Sequence, residues 1–248
     1  MLVALIFGNL LLGWVLALMV NYLSDVLPFT RSITRPECTH CHQKLSILNY
    51  ITFQKCPGCG TKRSVRTWVI QALMPLIFIW LLLEPPLRLN LWLCAIILVY
   101  FAVVAVIDYE HRAILYQESI VGAVIGLCVG SYLHGIVLTI LGGVAGFAIM
   151  LVLYYLGILF SKVLSRIRKQ TYSDPGLGYG DVTLAGVLGL ILGWPGITAG
   201  LVLGILLAGL ISAIYLVVLL VTHRYTIFSS IPYAPFLVVG SAILLFRP

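Results

Sequence analysis

Gly178-Tyr179-Gly180-Asp181 stands where a loop with several cations, 161–180, gives way to the apolar run 181–193. An ionised carboxylate at the edge of so apolar a segment is costly in lipid, so a functional role and a partner are the first expectation. The chain around it has 248 residues, 61% hydrophobic and only 9% charged, far from the composition of a soluble domain. This predicts an all-α polytopic membrane protein, a bundle of about eight transmembrane helices. The spans fall near 2–24, 68–83, 90–107, 115–133, 136–160, 181–193, 196–221 and 232–246. Spanning takes about 20 apolar residues, fewer where helices sit short or tilted in a bundle.

The charges between these spans set an orientation, because Lys and Arg are retained on the cytoplasmic side. Arg31, Arg35, Lys44, Lys55, Lys62, Arg63 and Arg66 fall in the loop 25–67, Arg112 in a second loop, Lys162, Arg166, Arg168 and Lys169 in a third, and Arg224 in a fourth. Only Arg88 and Arg247 fall on the other face. The formal charge of +7 is thus a topology signal that puts both termini outside, and it calls for no nucleic-acid partner. The first span has no basic leader region and no small-residue cleavage site, so it reads as a retained helix that ends at Asn21–Asp25, before Pro28.

Three regions follow: a first transmembrane helix at 1–24, a cytoplasmic loop domain at 25–67, and a transmembrane core at 68–248. The loop domain carries Cys38-Thr39-His40-Cys41 and Cys56-Pro57-Gly58-Cys59, two CxxC knuckles at the spacing of a tetrahedral four-cysteine zinc site. Gly58 and Gly60 relieve the backbone at the second knuckle. Disulfides and redox-active thiols compete with this reading, but a cytoplasmic loop sits in a reducing compartment, which favours structural zinc on Cys38, Cys41, Cys56 and Cys59. His40 and His42 are substitute ligands or simply exposed, while Cys94 and Cys128 read as buried small residues within spans.

A second carboxylate stands at Val104-Ala105-Val106-Ile107-Asp108-Tyr109-Glu110-His111-Arg112-Ala113-Ile114, where an apolar helix runs into charge on the cytoplasmic side. Alone, Asp108 reads as a solvated helix end, and a lone GxGD reads as a helix cap. Together they place two aspartates at the same boundary, one flanked by Gly178 and Gly180, which leave the backbone open for another chain or helix to lie against it. Paired carboxylates are what peptide hydrolysis requires: one takes a proton from water while the other, protonated, polarises the scissile carbonyl. Asp108 ends its helix and Asp181 begins one, so the helix dipoles assign the resting proton to Asp108. Glu110 and Glu118 are rivals for the first carboxylate, on different helix faces from Asp108. His111 is an accessory base or an interface residue, and His134 lies on the external side. Rows of glycine at Gly122, Gly126 and Gly130, Gly142 and Gly146, Gly189 and Gly193, and Gly196, Gly200 and Gly204 predict close helix packing.

On these motifs the chain resembles the type 4 prepilin peptidases, GxGD aspartyl proteases of membranes. The resemblance rests on the asparagine-ended first helix, the paired CxxC loop, Asp108 with Ile114, Gly178–Asp181, and Ile231-Pro232-Tyr233-Ala234-Pro235-Phe236-Leu237. It implies cleavage of the basic leader of type 4 prepilins or pseudopilins at the cytoplasmic face of a bacterial inner membrane, with Asp108 and Asp181 catalytic. In bifunctional members it also implies methylation of the new amino group by S-adenosylmethionine. The chain departs from the family pattern at Leu115, where proline is usual, at Thr183, where lysine is usual, and at Gln71, where a glutamate is linked with methyl transfer. A basic leader would meet the acidic group at Asp108, Glu110 and Asp181, and membrane lipids would meet the cationic loops. Two rival readings are an ion-coupled transporter, whose carboxylates belong near the bilayer midplane, and an assembly factor that binds pilins without cutting them.

Overall fold

A computed structural model of the chain describes residues 2–38, 40–41, 43–168, 177–222 and 232–247. His42, Lys169, Asp174-Pro175-Gly176, Arg224 and Ile231 lie outside the described residues. Among those described there are nine helices and no strand: α1 Leu2–Thr30, α2 Ile47–Ile51, α3 Val65–Leu83, α4 Leu91–His111, α5 Tyr116–His134, α6 Ile136–Arg168, α7 Tyr179–Leu192, α8 Gly196–Val221 and α9 Ala234–Leu245. Each expected span has its helix, and α2 is an addition within the cysteine loop. Five of them, α1, α3, α4, α6 and α8, are long and apolar enough to cross a membrane, and α7 and α9 are shorter apolar helices. The chain is a multi-pass, all-α membrane protein. It divides into two compact units, Met1–Val106 and Ile107–Arg247.

In the first unit α1 and α3 run antiparallel. Gly13 permits their close approach, since a Cβ there would lie 2.6 Å from Pro75 Cα. Asn21, fully buried, donates to Thr67 O at 3.3 Å and to Gln71 Oε1 at 3.4 Å, and Gln71 Nε2 donates to Trp14 O at 2.8 Å. Such side-chain bonds hold helices together where lipid offers polar groups no other partner. The helix expected to end before Pro28 continues through it to Thr30. Pro28 has no N–H to give Ser24 O, but beyond it the Thr30 hydroxyl and Arg31 N–H close the last turn on Val26 O and Leu27 O. Just below, Asp25 accepts from Arg66 and from the Tyr50 hydroxyl at 2.5 Å, with Arg63 3.8 Å away, so two of the loop's cations are paired.

In the second unit α7 touches α5, α6, α8 and α9. A helix apolar on every side belongs inside a bundle, and nine of its fourteen residues are buried. The glycine rows are where its neighbours approach. A Cβ on Gly130 would lie 2.0 Å from Leu190 O, one on Gly142 2.4 Å from Gly189 O, and one on Gly146 2.3 Å from Ala185 O. Gly204 and Gly240 serve the α8–α9 contact in the same way. Of the two cysteines in spans, Cys94 is buried as expected, but Cys128 is exposed on α5. A thiol is apolar enough to face lipid without a partner.

Candidate active site and metal centre

Asp181 is the third residue of α7, whose N-cap is Gly178. Its Oδ2 reaches back to accept the Gly178 N–H at 3.0 Å, satisfying one of the donors a helix start leaves unpaired. The cap of this helix is therefore a glycine backbone, and the aspartate is held from inside the first turn. Asp108 lies in the last turn of α4, and its Oδ2 accepts the N–H of Ala234, the first residue of α9, at 3.0 Å. Pro235 supports that helix start, since its fixed φ suits the first turn and it has no N–H to leave unpaired. Both aspartates are buried, with 5% and 8% of their surfaces exposed. The charge of Asp108 acts on Asp181, and that of Asp181 acts on Tyr233. Among the described residues no hydrogen bond reaches the other oxygen, Oδ1, of either aspartate. The segment Pro232–Leu237 thus supplies the donor that orients Asp108.

Within the GxGD motif Gly180 serves a close approach inside the protein. A Cβ on Gly180 would lie 2.9 Å from the Cβ of Ile114. The missing side chain makes room for Ile114, which follows Asp108 by six residues, so the two aspartate motifs interlock through this contact. Gly178 is exposed, and among the described residues a Cβ there would meet little but Asp181 Oδ2 at 3.4 Å. Thr183, in place of the usual lysine, donates to Gly180 O at 2.7 Å and pairs with Ser119 of α5 at 3.3 Å.

Glu118 weighs more than the sequence suggested. Helical periodicity counted from Asp108 turns it away, but α4 ends at His111 and α5 begins at Tyr116, so that count does not run through. Glu118 is 5% exposed, caps α5 by accepting the Leu115 N–H at 3.1 Å, and feels the Asp108 charge. An acid three residues into a helix was the available signal. Glu110, His111 and Arg112 are exposed.

In the first unit the thiols of Cys38, Cys41, Cys56 and Cys59 lie within 4.8 Å of one another, a group that can hold a metal ion. The pairs Cys38–Cys59 and Cys41–Cys56 are 3.6 and 3.5 Å apart. Four sulfurs around tetrahedral zinc stand about 3.8 Å apart, given Zn–S bonds of about 2.3 Å, so the donor set and spacing fit that ion. Each knuckle is a turn: Cys38 N–H donates to Gln43 O, Cys56 N–H to Thr61 O, and Gly60, at φ +70, donates back to Cys56 O. The Thr61 hydroxyl and backbone N–H hold Cys59 down at about 6, and the N–H groups of Cys59 and Gly58 lower Cys56. Cys41 gains from the Gln43 N–H, but lost hydration and the neighbouring thiols push it up to about 12. A cation among the four removes that conflict. His40 is exposed.

Comparison with known proteins places the chain in one family. The family described as "Type IV leader peptidase family" matches residues 94–217, half of the chain. A prepilin leader peptidase/N-methyltransferase of Myxococcus xanthus is 25% identical over 192 residues, covering 74% of this chain and 55% of that protein. Another of that name, from Aeromonas hydrophila, is 24% identical over 235 residues, covering 89% of this chain and 74% of its own length. The chain thus spans little more than half of the first relative. No solved structure matches.

Proposed function

Because the chain belongs to the type IV leader peptidase family, we propose that it is a membrane aspartic endopeptidase that cleaves the basic leader of type 4 prepilins or pseudopilins. Asp108 and Asp181 are its catalytic residues. The observation that carries the reading is their common setting: two buried carboxylates, from different helices, each held by one backbone N–H. Asp181, at the start of its helix, takes the proton of the attacking water. Asp108, at the end of its own, holds the proton that polarises the carbonyl and then passes to the leaving amine. Gly178 leaves the backbone beside Asp181 uncovered, and Gly180 seats Ile114.

The cation bias of the loops supports an active site facing the cytoplasm of a bacterial inner membrane. Residues 25–67 form a small domain that zinc would stabilise through its four cysteines, with no open position for a catalytic water, and residues 68–248 form the peptidase core. Placement of both aspartates at helix ends speaks against an ion-coupled transporter. The names of both relatives include an N-methyltransferase, whose methyl donor would be S-adenosylmethionine. Here the position linked with that activity is Gln71, and both of its polar atoms are engaged with α1. It offers a methyl donor no carboxylate, so the fit at this position is poor.

The test is incubation of the purified chain in detergent with a prepilin, read by mass spectrometry. Cleavage lost in Asp108→Ala and Asp181→Ala is the expected result. Substantial cleavage by Asp181→Asn would refute the paired mechanism, and absence of cleavage by the unaltered chain would favour a binding or assembly role. A product heavier by one methyl group would establish methyl transfer.

A further inference from the structure

We propose that Ile47–Phe53 is a membrane-interface anchor, a short wedge that seats the four-cysteine loop in the headgroup layer of the bilayer beside α1 and α3, with anionic lipid as its occupant. The proposal rests only on this unit's helices spanning a membrane and is independent of the peptidase reading.

The faces of α2 are reversed from those of a soluble helix. Tyr50 turns inward, into the cluster of Cys38, Leu45 and Cys56, and its hydroxyl reaches Asp25. Ile47, Leu48 and Ile51 share the outer face and are 62%, 72% and 40% exposed. In water such a face is a liability; beside a bilayer it is what an interfacial helix presents to the acyl boundary.

Depth is set by α3. Its nineteen residues span about 28 Å, close to the hydrocarbon thickness, so Val65 marks one boundary and Trp68 lies in the aromatic belt just inside it. Phe53, immediately after α2, packs its ring 5.0 Å from that of Trp68 and 6.5 Å from that of Trp14. To do so it adopts φ +54, a left-handed conformation unfavourable for a residue with a bulky side chain. The chain holds this strain where it carries the loop down to the level of Trp68. The outer surface of α3 is exposed at Val65, Trp68 and Val69, and the Phe53–Trp68 contact brings the end of α2 to that level. Exposed Lys44 and Lys55 flank the segment, placed to extend their ammonium groups toward anionic head groups while the apolar face inserts.

The experiment uses the full chain in nanodiscs of mixed zwitterionic and anionic phospholipid, with a diazirine amino acid at Leu48 or, as control, at the exposed loop position His40. Mass spectrometry reads the adducts after illumination. Phospholipid adducts at Leu48 several-fold above those at His40, reduced in zwitterionic discs or by Lys44→Gln with Lys55→Gln, are expected. Chain-to-chain adducts at Leu48 would mean that a second copy covers this face. Lipid adducts no more frequent than at His40 would mean that it faces water. Either result overturns the proposal. Because both labelled positions are exposed, the result does not depend on disturbing the fold, and metal content measured on the same samples confirms that the loop is intact.

Discussion

Replacing Gly142 by alanine sets two physical effects against each other. In a helix interior alanine is favoured over glycine by about 1 kcal/mol, so propensity alone predicts a more stable α6. The structure predicts the opposite. A Cβ at Gly142 would lie 2.4 Å from Gly189 O, 2.6 Å from Gly193 C and 2.7 Å from Gly193 Cα, where ordinary contact begins near 3.4 Å. All three atoms are backbone, so no side chain can swing aside, and α6 and α7 must separate by about 1 Å. Overpacking of this kind costs about 1–3 kcal/mol, which outweighs the propensity gain. The larger consequence is for Asp181, which rides on α7 about 12 Å from the contact. Under the proposed mechanism, misplacing Asp181 by about 1 Å lowers the rate on the order of 10²-fold. The assay is kcat/KM for leader cleavage in detergent, alongside a thermal melt. Gly209→Ala is the control, since among the described residues nothing lies within 4 Å of a Cβ there, and it should melt at or slightly above the unaltered temperature with full activity. A Gly142→Ala protein that cleaves normally and melts no lower would refute the claim that this crossing positions α7.

Other outcomes follow from the same geometry. Asp181→Asn keeps an acceptor for the Gly178 N–H and so should melt normally, while losing cleavage by about 10²-fold or more. Glu118→Ala leaves the Leu115 N–H without its cap and should lose about 1 kcal/mol of stability, measured by thermal melting, whereas Glu118→Gln should retain it. Gln71→Glu removes the donor to Trp14 O, which predicts a destabilisation of about 1–3 kcal/mol and no gain of methyl transfer, read by melting and product mass. Chelation of the metal, or Cys56→Ser, should make the loop 25–67 protease-sensitive and leave the metal content below one per chain, whereas Cys94→Ser should change neither.

The eight apolar segments were legible as helices because apolar runs announce themselves whatever they touch, though only five of the described helices are long and apolar enough to cross a membrane, and the cysteine knuckles were legible because a metal dictates local spacing. Less legible were features that depend on what comes next to what. Pro28 marks a break by local rules, yet α1 passes through it, and the Thr30 hydroxyl and Arg31 N–H close the turn beyond it. The glycines of GxGD signalled a close approach, but only the fold shows that Ile114 makes it. Glu118 is hidden from a reading of the sequence because helical periodicity from Asp108 does not run through the turn that ends α4 and begins α5.

Sequence alone thus determined the class of molecule, the cysteine set, and the two aspartates at helix ends, since each follows from composition, spacing or position within a single segment. Tertiary structure decided what holds those aspartates. The N–H of Ala234 on Asp108, the pressure of Ile114 on Gly180, and the burial of α7 among four helices join residues as many as 126 positions apart. Within one helix, hydrogen bonds repeat every four residues and can be read from its pattern. Between helices they depend on register and crossing, which only the packed chain sets.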